Sequence, residues 1–167
     1  MDRIPACLLK DSAAVITQSI TFLVNLSLYK INPDGLGEFE VFCDQKTAGG
    51  GWTVFQKRRD GSVDFFRAWD DYKRGFGNLN GEFWLGLDKI HRLTVSSGYK
   101  LRVDLEDFHG KTAFAEYSSF SVTSERAKYQ LNLGSYSGTL TIGIESFGQK
   151  YAAKETSTSL LAPAISC

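Results

Sequence analysis

The chain has 167 residues, a length typical of one domain, and its 19 basic residues equal its 19 acidic ones. This balance excludes a global electrostatic field that would attract nucleic acid or anionic lipid, so neither is an expected partner. The 12 Phe, 7 Tyr and 3 Trp predict a core rich in aromatic rings, and the 16 Gly favour a loop-rich fold.

The first 28 residues are interpreted as a lead-in segment. The stretch from residue 13 to residue 31 is rather apolar, but polar residues such as Gln18 and Asn25 interrupt it, so it is too polar to predict a membrane span. It also lies too far from the amino end to match a signal peptide. Asn25-Leu26-Ser27 is a glycosylation sequon, which makes Asn25 a candidate if the chain is secreted.

Two strands and a turn follow. Residues 38–43 alternate polar and apolar side chains, a pattern typical of a half-buried strand. Three successive glycines, Gly49 to Gly51, interrupt the chain before a second predicted strand at residues 52–56. Asp60-Gly61 is a strong turn signal. We interpret the basic run Lys57 to Arg59, which Asp60 follows, as a solvated strand end rather than a polyanion site.

Helical patterns occupy the middle of the chain. Aromatic residues at spacings of three and four over residues 65–72 predict a short helix that ends by Gly75. A second amphipathic helix is predicted at roughly residues 82–93, with Glu82, Asp88, Lys89 and Arg92 on its polar face.

The remaining predicted elements are strands. Residues 99–106 alternate strictly, residues 108–111 form a hairpin tip, and residues 112–122 return as the partner strand. A further strand is predicted at residues 129–133, closed by the glycine-containing segment 134–138. Strands, two short helices and then antiparallel strands indicate an α+β fold rather than a parallel α/β sheet.

Several ordered motifs resemble the fibrinogen C-terminal (fibrinogen-related) domain, the ficolin-, tachylectin- and angiopoietin-like family. The resemblance covers residues 29–139, about two-thirds of the chain. Its motifs are Tyr29-Lys30-Ile31-Asn32-Pro33-Asp34-Gly35, Val41-Phe42-Cys43-Asp44, Gly49-Gly50-Gly51-Trp52-Thr53-Val54-Phe55-Gln56-Lys57-Arg58, Asp60 to Phe65, Arg67, Trp69, Tyr72, Gly75-Phe76-Gly77, Gly81 to Leu87 and Tyr99 to Val103.

The aromatic residues within these motifs are interpreted as core rings rather than as a platform on which sugars stack. They are Trp52, Trp69, Tyr72, Phe76, Phe83 and Trp84. The three glycines before Trp52 permit positive φ and a close backbone approach where that ring enters the core. Buried Trp and Tyr also need partners for their polar atoms, and Asp70, Asp71 or Glu82 can supply them.

The resemblance implies an antiparallel sheet with short helices, secretion, and recognition of an extracellular glycan or protein receptor, with calcium in the family. Residues 140–167 do not match the family pattern: the Asp-rich calcium loop and the segment that shapes the ligand pocket have no counterpart. We therefore expect a domain truncated at its C-terminal subdomain, a loose tail at residues 140–167, no metal ligand and no cofactor. Ligand-binding residues remain unassigned, and direct lectin activity is not expected.

The three cysteines, Cys7, Cys43 and Cys167, match neither a zinc spacing nor a catalytic pattern. Composition is compatible with one bridge and one thiol, or with three thiols in a reducing compartment. In the family a Cys at the start of the domain pairs with the one that matches Cys43, and Cys7 is the upstream residue available for this disulfide.

The sequence does not predict an enzyme. Gly75, Gly77 and Gly81 do not fit a dinucleotide fingerprint, and His91 and His109 are interpreted as surface residues without a nucleophile nearby. We therefore assign no catalytic residue. Two alternatives to an independent recognition module remain: a truncated, non-lectin isoform that associates with full-length relatives, and a non-functional fragment.

Overall fold

The computed structural model describes residues 28–95, 98–107 and 109–139, together with the backbone of residues 163–166. The predictions for Cys7 and Asn25 therefore lie outside the described residues. The described strands are β1 (Leu28–Ile31), β2 (Phe39–Asp44), β3 (Trp52–Val54), β4 (Gln56–Lys57), β5 (Phe76–Gly77), β6 (Phe83–Trp84), β7 (Lys100–Glu106), β8 (Thr112–Tyr117), β9 (Phe120–Val122), β10 (Leu131–Leu133), β11 (Tyr136–Gly138) and β12 (Pro163–Ser166). The described helices are α1 (Trp69–Arg74) and α2 (Leu87–Thr94), with short 3-10 turns at Thr47–Gly49 and Glu125–Ala127. No described helix is long and apolar enough to cross a membrane.

The strands form three antiparallel sheets. The largest has seven strands in the order β1-β2-β3-β12-β7-β8-β11, a second pairs β10 with β9, and a third has the order β4-β6-β5. All the strand pairs in these sheets are antiparallel. The predicted α+β class, an antiparallel sheet with short helices, is therefore confirmed.

The position of β12 differs from expectation. Residues 163–166 lie within the segment 140–167, for which the sequence predicts a loose tail, yet they form a strand between β3 and β7. Sequence pattern does not reveal this strand, because its position depends on backbone hydrogen bonds to strands about 60 and 110 residues earlier in the chain. For these four residues the prediction of a loose tail is wrong.

The second helix is shorter than predicted. It begins at Leu87 rather than near residue 82, because Phe83 and Trp84 form the middle strand of the three-stranded sheet. Gly86 separates the strand from the helix with a φ of 107°, where a Cβ would lie 2.6 Å from the backbone carbonyl of Arg74. The amphipathic pattern is correct for the helix itself, which buries Ile90 and Leu93.

The core lies between the inner face of the sheets and α2. Its buried apolar members include Val41, Val54, Phe55, Phe83, Leu85, Ile90, Leu93, Leu101, Val103, Tyr117 and Phe120. The ring of Phe55 stacks on Phe120 with centroids 5.6 Å apart and meets the edge of Trp84 at 5.9 Å. Such ring pairs contribute beyond the area they bury.

Candidate functional site

The six aromatic residues predicted to lie in the core differ in burial. Trp52 and Phe83 are buried, with Trp52 only 6% exposed, whereas Tyr72, Phe76 and Trp84 are half-buried. Trp69 is 57% exposed. The prediction that Trp69 is a core ring is wrong, because α1 is a surface helix of six residues that buries none of them, and Trp69 is its first residue.

The polar atoms of these rings bond to the backbone rather than to acidic side chains. Trp52 Nε1 donates to the carbonyl of Thr47 at 2.9 Å, and Trp84 Nε1 donates to the carbonyl of Tyr72 at 2.7 Å. The Tyr72 hydroxyl donates to the carbonyl of Phe65, also at 2.7 Å. The two Trp rings therefore tie a turn and a helix to strands β3 and β6, whereas Tyr72 ties α1 to the loop that precedes it.

Glu82 has a different partner from the one the sequence suggested. Its side chain is 1% exposed, and its carboxylate accepts the backbone N–H groups of residues 59, 60, 61 and 63. The Arg58 guanidinium lies 3.8 Å away. Burial alone would raise the pKa of Glu82, but these four N–H donors favour the charged form and hold it at about 2. The loop of residues 58–63, which contains most of the basic run, is shaped by this one carboxylate.

A cleft with a volume of about 280 Å³ opens beside strands β5 and β6. The residues that line it are Glu40, Gly75, Phe76, Gly77, Leu79, Phe83, Trp84, Leu85 and Lys89. Five of the nine lining residues are apolar or aromatic, and two, Glu40 and Lys89, carry opposite charges. Polar atoms contribute a substantial part of the lining surface beside the apolar ones. A concave surface that combines aromatic rings with a few polar groups is a common form of binding site.

Three of the elements that line the cleft, β5, β6 and α2, set most of its geometry. β5 and β6 place Phe76 and Trp84 directly opposite each other in register, and the turn that joins these strands contributes Leu79. The Lys89 ammonium donates to the backbone carbonyl of Arg74 at 2.8 Å, and burial lowers its pKa. Lys89 therefore caps the C-terminal end of α1, and the same side chain lines the cleft.

The cleft was not predicted from sequence. Lys89 was placed on a polar helix face, and nothing in the local pattern distinguishes it from Asp88 or Arg92. Leu79 lies in a polar turn, and Glu40 is an ordinary outward-facing strand residue. Because the lining comes from β2, β5, β6 and α2, the fold rather than the local pattern brings these residues together.

The residues that line the cleft include no histidine, cysteine or serine. His91 lies elsewhere: its ring nitrogen Nδ1 is hydrogen-bonded to the backbone carbonyl of Val122 at 2.8 Å. The side chain is half-buried, so the prediction of a surface position is wrong for His91. His109 is exposed, as expected. Within residues 28–139, apart from the three that are not described, no group of three or more His, Cys, Asp or Glu side chains could hold a metal ion.

Cys43 is 1% exposed and is disulfide-bonded. The other two cysteines of the chain, Cys7 and Cys167, lie outside the residues whose side chains are described. Pairing of Cys43 with Cys7 stays a prediction, as does glycosylation of Asn25.

Comparison with known proteins gives a consistent picture. The family model for the C-terminal globular domain of fibrinogen beta and gamma chains matches residues 24–160, which extends beyond 29–139 at both ends. Human fibroleukin is 56% identical over 112 residues, 66% of this chain and 26% of its own length. Ryncolin-4 of Cerberus rynchops is 56% identical over 108 residues, 65% of this chain and 31% of its own. The chain thus spans about a quarter to a third of these relatives.

Two solved structures support the same fold. The fibrinogen-like globe domain of human ANGPTL2 superposes with a TM-score of 0.69 at 48% sequence identity, covering 71% of this chain and 56% of that one. The lamprey fibrin D-dimer, determined with the peptide ligand Gly-His-Arg-Pro-amide, superposes with a TM-score of 0.63 at 43% identity. It covers 68% of this chain and 37% of the lamprey chain.

Proposed function

The chain belongs to the fibrinogen C-terminal domain family, and from this premise we propose that it is an extracellular recognition module rather than an enzyme. The observation that carries the proposal is the cleft beside β5 and β6, where Phe76, Leu79 and Trp84 form an apolar lining. A disulfide at Cys43 supports an oxidising, extracellular location, because such bonds are rare in reducing compartments.

The partner that fits the cleft is a segment of an extracellular protein that inserts one apolar side chain. The volume of about 280 Å³ is sufficient for an apolar side chain, and the charges of Glu40 and Lys89 can orient the polar groups around it. The peptide-bound lamprey relative supports a protein ligand over a sugar. No catalytic role, cofactor or metal forms part of this proposal.

A glycan is the second candidate partner, because half-buried aromatic rings such as Trp84 can stack on sugar faces. The predicted division of the chain is also retained as a proposal, with a lead-in at residues 1–28, a partial family domain at 29–139 and a tail from residue 140. Two findings limit the tail: the family model extends to residue 160, and residues 163–166 form a strand of the largest sheet. A truncated isoform that associates with full-length relatives, or a non-functional fragment, stays the alternative.

Selection against the purified chain tests the recognition role. A displayed library of random 12-residue peptides and an array of N-acetylated sugars are screened, each with and without calcium. We expect peptide binders whose affinity falls at least tenfold in Leu79→Asp, because a carboxylate at the cleft opposes insertion of an apolar side chain.

Leu36→Asp is the matched control, since Leu36 is 80% exposed and does not line the cleft. The selected peptides should bind the Leu36→Asp variant with the same affinity as the unmodified chain. Binders on the sugar array alone would establish the glycan alternative. Failure to select any binder, or binders equally affected by both substitutions, would refute recognition through the cleft.

A further inference from the structure

The middle of the seven-stranded sheet depends on one short strand. β3 pairs with β2 and β12, and β7 pairs with β8 and β12, so β12 joins the two halves. Its register places Ala164 opposite Val54 on one side and opposite Arg102 on the other. In the described part of the chain, β3 and β7 are not paired with each other. The space between their facing edges is named the β3–β7 slot.

The slot favours an occupant. With β12 in place, Thr53, Val54, Leu101 and Val103 are all nearly inaccessible to solvent. Without a strand there, the backbone N–H and C=O groups of β3 and β7 that face the slot would lose their partners, so we expect an occupied slot to be the more stable state. The occupant in this structure is an extended segment that runs antiparallel to both neighbours.

The present occupant is a short strand. β12 has four residues, pairs with β7 at all four and with β3 at two, and begins with Pro163, which has no N–H to donate. The ladder to β3 is therefore the shorter of its two, and a strand shorter than average costs less free energy to separate from a sheet than a long one.

The number of residues before β12 is large enough for the strand to reach a second copy of the chain. Residues 140–162 lie between the last residue of the described body, Thr139, and Pro163. A connection of 23 residues can span at most roughly 80 Å when fully extended, more than twice the ~30 Å diameter of a small domain. Pro163–Ser166 of a second copy would form the same two ladders, and exchange of an identical element between copies creates a dimer at little cost.

We propose that the β3–β7 slot is a strand-binding site that accepts residues 163–166 from a second copy of this chain, so that two copies associate by exchanging β12. The partner is thus defined by its chemistry: an extended, uncharged segment that pairs antiparallel with both walls. This inference does not depend on the ligand of the cleft, because the slot and the cleft share no lining residue.

Disulfide trapping between two differently labelled copies tests the exchange. Val54→Cys is made in an unlabelled chain and Ala164→Cys in a ¹⁵N-labelled chain. The two positions are register partners, whose Cα atoms in an antiparallel pair lie within the range that a disulfide spans. The mixture is oxidised mildly, and the linked peptides are mapped by mass spectrometry.

The expected result is a disulfide between the two introduced thiols, joining position 54 of an unlabelled chain to position 164 of a labelled one, at least tenfold above the control mixture. The control replaces Val54→Cys with Val122→Cys, another buried strand valine, which lies in the two-stranded sheet away from the slot. Native cysteines are retained, because peptide mapping identifies which residues are joined.

Two outcomes would overturn the proposal. In the first, the double variant Val54→Cys/Ala164→Cys would form the bond within one chain, while the mixture would give no more product than the control. That outcome would show that each slot is filled only by β12 of its own chain. Absence of the bond in both samples would show that residues 163–166 do not occupy the slot. As a second measurement, sedimentation velocity compares the unmodified chain with the variant Ala164→Pro/Ile165→Pro. The variant should be monomeric at concentrations where the unmodified chain dimerises, because the substitutions remove two N–H donors from β12.

Discussion

Two regions of the molecule use aromatic side chains in opposite ways. The inner framework comprises β2, β3, the turn at residues 47–51 and the loop at residues 58–63; the outer rim comprises α1 and β10. Trp52 of the framework is 6% exposed, whereas Trp69 of the rim is 57% exposed. The rim ring contacts Tyr129 at a centroid distance of 5.9 Å, while the framework ring is enclosed and hydrogen-bonded.

The difference teaches that an aromatic residue in a family motif is not thereby a core residue. In the framework, close backbone turns surround the ring: Gly50 has a φ of 82°, and a Cβ there would lie 2.5 Å from the carbonyl oxygen of Gln45. In the rim, Trp69 begins a six-residue surface helix that buries none of its residues. Three substitutions measure how far the two regions differ in their contribution to stability.

Replacement of Trp52 by Ala should have the largest effect. The substitution removes a buried ring and the hydrogen bond from Nε1 to the carbonyl of Thr47, and it leaves a cavity next to β2. Loss of a buried Trp typically costs about 3–5 kcal/mol. Urea unfolding followed by circular dichroism measures the change, and a loss below about 1 kcal/mol would contradict the assignment of Trp52 to the core.

Replacement of Glu82 by Gln should destabilise the framework by about 3 kcal/mol at pH 7, because a pKa of about 2 in place of 4.5 corresponds to that free energy. The folded pKa is the lower one, so this stabilisation is present above pH 4.5 and disappears as pH falls towards 2. The difference in stability between wild type and variant should therefore shrink over that window.

The control for this prediction is Glu38→Gln, an exposed residue beside β2 that should change stability by less than about 0.5 kcal/mol at every pH. Guanidinium unfolding at several pH values compares the three proteins. A difference between wild type and the Glu82 variant that stays constant from pH 7 to pH 2 would show that the carboxylate charge does not hold the loop of residues 58–63.

Replacement of Trp69 by Ala should have the smallest effect, less than about 1 kcal/mol, because more than half of the ring is already in water. The same urea assay applies, with Trp52→Ala as the reference. A loss similar to that of the reference would mean that the rim ring is covered in solution, and that the contrast between the two regions does not hold.

The local pattern of the sequence predicted the elements whose partners are close in the chain. The alternation at residues 38–43 and 99–106 gave β2 and β7 almost as observed, and the turn between β7 and β8 follows from the hairpin pattern. The family resemblance added the overall class. The strand at residues 129–133 is shorter than predicted, because Lys128 and Tyr129 have φ values of 61° and 49° and turn the backbone before Leu131.

The candidate cleft and the slot depended on contacts that no sequence window contains. Leu79 and Lys89 line one cleft because β5, β6 and α2 pack together, although each residue is ordinary in its own segment. Phe83 and Trp84 belong to a strand rather than to a helix because they have backbone partners on both sides, in β4 and β5.

By itself, the sequence determined the balance of charge, the turn glycines, the alternation of the longer strands and the membership of the fibrinogen C-terminal family. The tertiary structure alone decided that Glu82 binds the backbone of a loop about 20 residues away, that Trp69 is exposed, and that residues 163–166 join the halves of the sheet. The physical reason is that local patterns report which face of a segment avoids water, whereas hydrogen bonds between distant backbone groups form only where the folded chain brings them together.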